Sequence, residues 1–580
     1  MPDRCNQHGP RCRRWAVVLL IGLALGACRR DDQVETTVDS AVPGNAGWFT
    51  DITDDAGLDF VYESGPYGRL FMPEIMGSGV ALVDLDGDGN LDIYLTNGHN
   101  GLPDTLSEGD RTNRFFRQRP DGGWIDATVE SGLGDRGYGM GIAVGDVDND
   151  GDRDVYVTNL GLDRLYRNRG NGVFEDVTEA AGLSLGRWSC SACFFDYDRD
   201  GFLDLFVTQY VAFHAEKKCT DRASRPTYCG PLAFPALHDV LLHNNGDGTF
   251  TDVSEPAGIR SVSPSAGLGV VCEDLNGDGW IDVYVANDAY ANHLWINQRD
   301  GTFLDDALLF GTAYNLEGNT EAGMGVVAAD FDNDLDLDLF MTHLIRESNT
   351  LYQNLGSDGF IDATGESGVG PSSLMLTGFG TVALDVELDG DLDLFVANGR
   401  VRFDDPVLKA DIQPPWDIYA EPNLFYLNDG AGRFALSEEL AESFCRPVEI
   451  TRGLTAGDID RDGDLDILIT NIQSPARLYR NDAPRQGHWL AVRAVDPSLR
   501  RDALGARILV FTPDRTYMRT ITTAVGYLSA GEPVAHFGLG QVQQIERIEV
   551  RWPDGVTERF PGTEVDREIE LVHGQGTLLP

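Results

Sequence analysis

The chain has 580 residues, more than one ordinary compact core holds, so it is either several domains or one large repeat architecture. Hydrophobic residues make up 42% and aromatic residues 9%, ordinary for a globular protein, and 67 glycines call for many turns. The 93 acidic against 45 basic residues leave a formal net charge of −48, which excludes a nucleic-acid partner and suits cation binding.

Arg11, Arg13 and Arg14 precede an apolar run, residues 15–24, too short to span a bilayer as a helix. Leu25-Gly26-Ala27-Cys28 follows and resembles the lipobox of bacterial lipoproteins. That resemblance implies a signal peptide over 1–27, lipidation of Cys28, and export to the envelope with only a lipid anchor in the membrane. Arg29 after the Cys implies the outer membrane rather than the inner. The alternative is an ordinary secretory signal. Residues 28–47 are polar and aperiodic, a tether. Without residues 1–27, which carry a net +3, the charge is −51, and self-repulsion on that scale opposes compaction unless ions bind.

FTDIT at 49–53 reads as a strand. Then DLDGDGNLD at 84 opens a series: DVDNDGDRD at 146, DYDRDGFLD at 196, DLNGDGWID at 274, DFDNDLDLD at 330, DVELDGDLD at 385 and DIDRDGDLD at 458. We number these loops 1 to 7. Position 1 is Asp84, Asp146, Asp196, Asp274, Asp330, Asp385 and Asp458 in turn. Position 3 is Asp86, Asp148, Asp198, Asn276, Asp332, Glu387 and Asp460. Position 5 is Asp88, Asp150, Asp200, Asp278, Asp334, Asp389 and Asp462. Position 9 is Asp92, Asp154, Asp204, Asp282, Asp338, Asp393 and Asp466. Calcium takes about six to eight oxygen ligands, and a curled loop aims alternate side chains inward. Gly at position 6 permits the sharp turn, except in loop 5, which has Leu335. Position 7 varies freely, so its carbonyl is the expected ligand at Asn90, Asp152, Phe202, Trp280, Asp336, Asp391 and Asp464. The expected cofactor is therefore Ca²⁺ at up to seven sites, weaker in loop 5 and in loop 6, which has Glu387. The alternative is a set of acidic turns without metal. An EF-hand is excluded, because position 12 is apolar, as at Leu95 and Val157, and the flanks are strands.

After each loop comes a third strand, NRFFR, RLYRN, VLLHN, HLWIN, TLYQN, LFYLN or RLYRN. A fourth strand follows the first six: WIDAT, FEDVT, FTDVS, FLDDA, FIDAT and FALSE. The seventh lacks one, and FTDIT at the start supplies it. This predicts an all-β, seven-bladed β-propeller closed by its N-terminal strand, with an open solenoid as the alternative. Residues 98–112, 210–238 and 399–422 are insertions between second and third strands, hence on one face. Tyr210, Phe213, Tyr228, Phe234, Phe403, Trp416 and Tyr419 in them are either a binding surface or the cores of long loops. Gly77-Ser78-Gly79, Gly139-Met140-Gly141, Gly267-Leu268-Gly269 and Gly323-Met324-Gly325 precede first strands, where small residues suit a crowded centre. The repeats, over 48–482, resemble the FG-GAP or VCBS repeats of the integrin alpha-subunit propeller. The resemblance implies calcium ligands at positions 1, 3, 5 and 9.

Six cysteines follow Cys28, namely Cys190, Cys193, Cys219, Cys229, Cys272 and Cys445. An even number in an exported chain suggests disulfides, first Cys219 with Cys229 across a short polar loop. Cys190 and Cys193 form a CxxC without a second pair, so zinc is not expected. Residues 485–575 lose the acidic pattern and alternate as a small β domain. RDALGARI, GYLSAGEP, HFGLG and VRWPDG resemble the ASPIC/UnbV domain, and repeats plus this domain are the layout of the bacterial cartilage-acidic-protein-like family. His488, His536, Asp502 and Arg507 read as structural polar residues in turns. The expected function is adhesion or ligand binding at the cell envelope, to a protein or polysaccharide. The alternative is an enzyme acting on polysaccharide as lyase or hydrolase, although no GxSxG, HExxH or CxxCH occurs and no catalytic residue is assigned.

Overall fold

The computed structural model describes residues 47–65, 68–99, 111–402 and 410–579. The signal segment, the tether with Cys28, Phe403 and most of the insertion at 98–112 lie outside them. The described residues form an all-β structure. Seven four-stranded antiparallel sheets follow one another, each built from a first strand, an acidic loop, and three more strands. Sheet 1 is Val80–Val83, Asp92–Leu95, Arg114–Gln118 and Trp124–Asp126. Sheet 7 is Thr451–Gly457, Asp466–Asn471 and Arg477–Asn481, completed by Phe49–Asp51, which pairs Phe49 with Asn481. The first strands touch in chain order, and that of sheet 7 touches that of sheet 1, so the arrangement closes on itself.

Burial explains why each strand has its composition. First and second strands are covered on both faces and read as near-continuous apolar or small residues. Fourth strands are three residues long, with one buried aromatic such as Trp124 or Phe174 followed by two exposed or half-buried residues, an edge too short to favour further pairing.

Two sets of side-chain clasps join the sheets. In sheets 1, 2, 3, 5 and 7 the second strand carries a Thr whose hydroxyl accepts a first-strand N–H and donates to a carbonyl of the next sheet. Thr96 donates to Met140 O at 2.9 Å, Thr208 to Leu268 O at 3.0 Å and Thr342 to Phe379 O at 2.7 Å. Thr158 does the same to Cys190 O, and Thr470 closes the circle onto Ser78 O at 2.9 Å. Sheets 4 and 6 have Ala286 and Ala397 there. Nearer the rim, the residue ending each third strand reaches back to position 2 of the preceding loop. Asn168 donates to Leu85 O at 2.8 Å, Asn244 to Val147 O at 2.8 Å and Asn354 to Leu275 O at 3.0 Å. In sheet 1 the residue is the longer Gln118, which reaches Ile459 O of sheet 7 at 2.9 Å. Thr470→Val leaves the buried Gly453 N–H and Ser78 carbonyl without this partner, and should cost about 1–3 kcal/mol in urea unfolding, with no change of fold. A variant as stable as the parent would show that the clasp adds nothing.

The region after residue 485 does not stand apart. Most of it forms two small sheets, one around Trp489–Asp496 and one around Arg507–Phe511. Between them a hairpin, Ala524–Val525 with Ser529–Gly531, joins sheet 1 in parallel, pairing Ala81 with Ala530 and Leu82 with Gly531. Its tip enters the centre of the ring. Tyr527 is fully buried, donates to Met76 O at 2.9 Å and packs edge-on against Phe379. Ile142 N–H donates to Leu528 O, and Val326 N–H to Gly526 O, both at 3.2 Å. This is what crowds the glycines of the first strands: a Cβ on Gly79 would lie 2.2 Å from Leu528 O.

Candidate metal centres and the region that covers them

Each acidic loop joins the first two strands of its sheet, and its Asp residues hold it shut. The position 9 carboxylate is buried and accepts two backbone N–H groups. One comes from position 2 of its own loop and one from the end of the third strand: for Asp92 these are Leu85 at 3.1 Å and Gln118 at 3.0 Å. All seven loops repeat the pair. Position 1 accepts the N–H of position 6 in every loop, as Asp146 does from Gly151 at 2.9 Å. Position 5 accepts the N–H of position 7, as Asp150 does from Asp152 at 3.0 Å.

Carboxylate oxygens of positions 1, 3 and 9 lie within 4.8 Å of one another in loops 1 and 2, as do those of positions 1, 3 and 5 in loops 3 and 5. Burial and neighbouring carboxylates push these acids up. Asp146, Asp196, Asp330 and Asp458 go to about 6, and Asp92 and Asp338 to about 8. Some oxygens have no hydrogen-bond partner at all: Asp148 Oδ1, Asp274 Oδ1, Glu387 Oε2 and Asp464 Oδ1 are buried and unpaired. An all-oxygen donor set with unpaired buried lone pairs fits a hard divalent cation. Position 7 offers no side-chain ligand at Phe202 or Trp280, whose ring instead lies 3.8 Å beneath the Arg199 guanidinium.

The sequence reading missed that position 4 is also left-handed. Gly87, Asn149, Arg199, Gly277, Asn333, Leu388 and Arg461 all have φ between 57° and 75°. Leu335, at position 6 of loop 5, has φ 75°, so that loop adopts the common turn without its glycine, at the cost of backbone strain. Cations also enter the loops. Third-strand Arg117 lies 2.8 Å from Asp86, Arg167 lies 3.0 Å from Asp148, and His243 lies 3.6 Å from Asp198.

The C-terminal region packs over the loops. Arg501 donates to Gly201 O, Arg551 lies 3.4 Å from Asp274, Arg515 lies 2.8 Å from Asp391, and Trp489 packs on Gly463. Asp502 is half-buried between Arg153 and Arg493, Arg507 donates to Asp274 O, and His536 Nε2 donates to Gly463 O. His536, Asp502 and Arg507 therefore sit on strands that face the loops, not in turns as their flanks suggested. His488 pairs with Asp566 at 2.7 Å.

The insertion aromatics are mostly interior. Tyr210, Tyr228, Phe234, Trp416 and Tyr419 are buried in one core with Tyr62, Ile75 and Trp188, and Phe213 packs against Trp188. Of the two readings of these rings, a binding surface or the cores of long loops, their burial supports the second. Cys219 and Cys229 form the expected disulfide, whereas Cys190, Cys193, Cys272 and Cys445 are buried free thiols. Among the described residues no helix is long and apolar enough to cross a membrane.

The ASPIC and UnbV family model matches residues 496–578, and the FG-GAP-like repeat model matches 98–157, 146–207 and 274–341. Cartilage acidic protein 1 of Homo sapiens is 24% identical over 523 residues, covering 88% of this chain and 65% of that protein. The Xenopus tropicalis protein is 25% identical over 548 residues, covering 90% and 76%. The Mus musculus protein is 26% identical over 385 residues, covering 62% and 54%. The chain thus spans between half and two thirds of the mouse and human relatives. Among solved structures, the BP39L lectin of Burkholderia pseudomallei overlaps with TM-score 0.40 at 9% identity, covering 70% of this chain and 97% of that one. That overlap is too slight to carry function. With repeats at 98–207 and 274–341 and a matching C-terminal region, the chain joins FG-GAP-like repeats to an ASPIC and UnbV domain and is a distant homologue of cartilage acidic protein 1.

Proposed function

We propose that the chain is a seven-bladed, calcium-stabilised β-propeller that binds a protein or polysaccharide at the bacterial envelope, anchored by lipid at Cys28. The observation that carries the calcium reading is the set of buried, unpaired carboxylate oxygens in loops 2, 4, 6 and 7. Positions 1, 3, 5 and 9 of each loop, with the position 7 carbonyl, would hold the ion. Its charge would offset the repulsion among carboxylates gathered within 4.8 Å. The C-terminal region covers the loop face, so a partner is left the opposite face, where the insertions lie. The test is a glycan and envelope-protein binding screen with residues 29–580 in calcium and then in EGTA. Retention of one ligand class, reversed by EGTA and without conversion, is the expected result. Retention that EGTA leaves intact would remove calcium from the binding mechanism.

One observation favours the enzymatic reading. Asp288 is a carboxylate outside the repeat pattern, held by Tyr210 Oη at 2.5 Å and pushed up to about 6 by burial, with Glu347 in its field. Altered glycan products in the same screen, lost in Asp288→Asn, would establish it.

A further inference from the structure

A cavity of about 180 Å³ lies between the first strands of sheets 5 and 6 and the C-terminal strands Thr516–Thr520 and Ala535–Gly538. It abuts acidic loops 5 and 6, whose position 1 residues Asp330 and Asp385 are part of its lining, and two polar groups on its wall are unsatisfied. Arg519 donates from Nη1 to Met518 O at 2.8 Å, but its Nε and Nη2 are buried and make no hydrogen bond. These two nitrogens share one edge of the guanidinium, the edge that grips a carboxylate with two parallel hydrogen bonds.

The nearest acids do not use that edge. Asp330 and Asp385 both line the cavity, yet each turns its oxygens to backbone N–H groups of its own loop, Asp334 and Leu335 for one and Asp389 and Gly390 for the other. Glu532 is taken by Arg153 and the Asp84 N–H. The second unsatisfied group is His536. Its Nε2–H donates to Gly463 O at 2.9 Å, which leaves Nδ1 as a lone-pair acceptor, buried and without a donor. Thr520 and Thr522 add hydroxyls to the wall, and Val382, Val525 and Val534 form an apolar stretch of it.

We propose that this cavity binds a small α-hydroxy or α-amino acid. The carboxylate lies along the Nε and Nη2 edge of Arg519, the α-hydroxyl or α-ammonium donates to His536 Nδ1, and a short side chain packs on the valines. The volume equals about six water molecules at roughly 30 Å³ each, the heavy-atom count of lactate or alanine. A phosphate would meet the same arginine edge but would leave the apolar wall unused and Nδ1 without an organic donor. The assignment does not depend on the envelope partner.

The test is calorimetric titration of the full chain with lactate, alanine, valine, acetate and inorganic phosphate, with crystals of the wild-type chain soaked in the tightest binder. One equivalent of lactate or alanine is expected to bind, more tightly than acetate, which lacks the donor. Arg519→Gln is expected to weaken binding by at least about tenfold. Ala328→Leu, which narrows the cavity without touching a charge, should also abolish it. The soaked crystal should place the carboxylate on Arg519. Where Arg519→Gln fails to fold, that crystal decides. Water alone along the Arg519 edge at saturating acid overturns the proposal, as does phosphate binding as tightly as the organic acids, or lactate affinity unchanged in Ala328→Leu.

Discussion

EGTA is expected to lower the melting temperature of the chain by about 15 °C at neutral pH. A site filled at about a hundred times its dissociation constant stabilises by about 2.7 kcal/mol, and seven such sites by roughly 19 kcal/mol. At roughly 2 cal/mol/K of unfolding entropy per residue, a chain of this length shifts by roughly 1 °C per kcal/mol. The pH dependence carries a sign that separates metal from mere acidic turns. Asp146, Asp196, Asp330 and Asp458 titrate near 6 and Asp92 and Asp338 near 8 in the folded chain, because burial and like charges disfavour their ionised forms. A carboxyl raised in the folded state binds its proton more tightly there than when unfolded. Its contribution is therefore full below the unfolded value near 4 and is lost as pH rises through 6 and on to 8. The calcium-free chain should thus lose stability from pH 5 to 8. The calcium-loaded chain should not, since the ion takes the place of the protons, so the gap between the two melting curves widens with pH. Curves that coincide with and without EGTA at pH 8 would sink the calcium reading.

Tyr527→Ala should be the most damaging single substitution in the C-terminal region. The ring is fully buried at the centre of the molecule, packs at 5.1 Å against Phe379, and its hydroxyl is bonded to Met76 O. Truncating a buried aromatic costs about 3–5 kcal/mol through lost transfer energy and the cavity left behind, and the orphaned Met76 carbonyl adds about 1 kcal/mol or more. Tyr527→Phe removes only the hydrogen bond and should cost about 1–2 kcal/mol. Because the hairpin tip is the part of the C-terminal region that reaches the ring centre, Tyr527→Ala should also speed proteolysis near residue 485. Equal urea midpoints for Tyr527→Ala and the parent would show that the tip is an ornament of the ring and not one of its fastenings.

The repeat carries most of the architecture in its letters. Position 9 of each loop and the aromatic opening each fourth strand are legible because each depends on local spacing, and the displaced FTDIT segment is legible because the repeat count leaves one fourth strand missing. FTDIT was assigned to the last sheet by counting, and Phe49 does pair with Asn481. The Asn that ends the third strands was visible as a repeated letter without a reason. Its reason is a contact with the preceding sheet, as from Asn168 to Leu85, which no local pattern encodes. The insertion aromatics leave two readings open for a related cause: a tyrosine in a long polar loop looks alike whether it faces solvent or another loop, and Tyr228 packs on Tyr419 from an insertion about 190 residues away.

By itself the sequence determined the strand order, the seven acidic loops and their candidate ligands, since all of these follow from local turn chemistry and short-range periodicity, and it pointed first to Cys219 with Cys229, the bridge the structure forms. The tertiary structure alone decided that residues 524–531 enter the ring and that arginines of the C-terminal region, Arg501, Arg515 and Arg551 among them, settle over the acidic loops. It alone left Arg519 and His536 unsatisfied in one cavity. These depend on which surfaces meet across hundreds of residues, and that is set by burial of apolar area and pairing of charge over the whole chain, with no signature in any one segment.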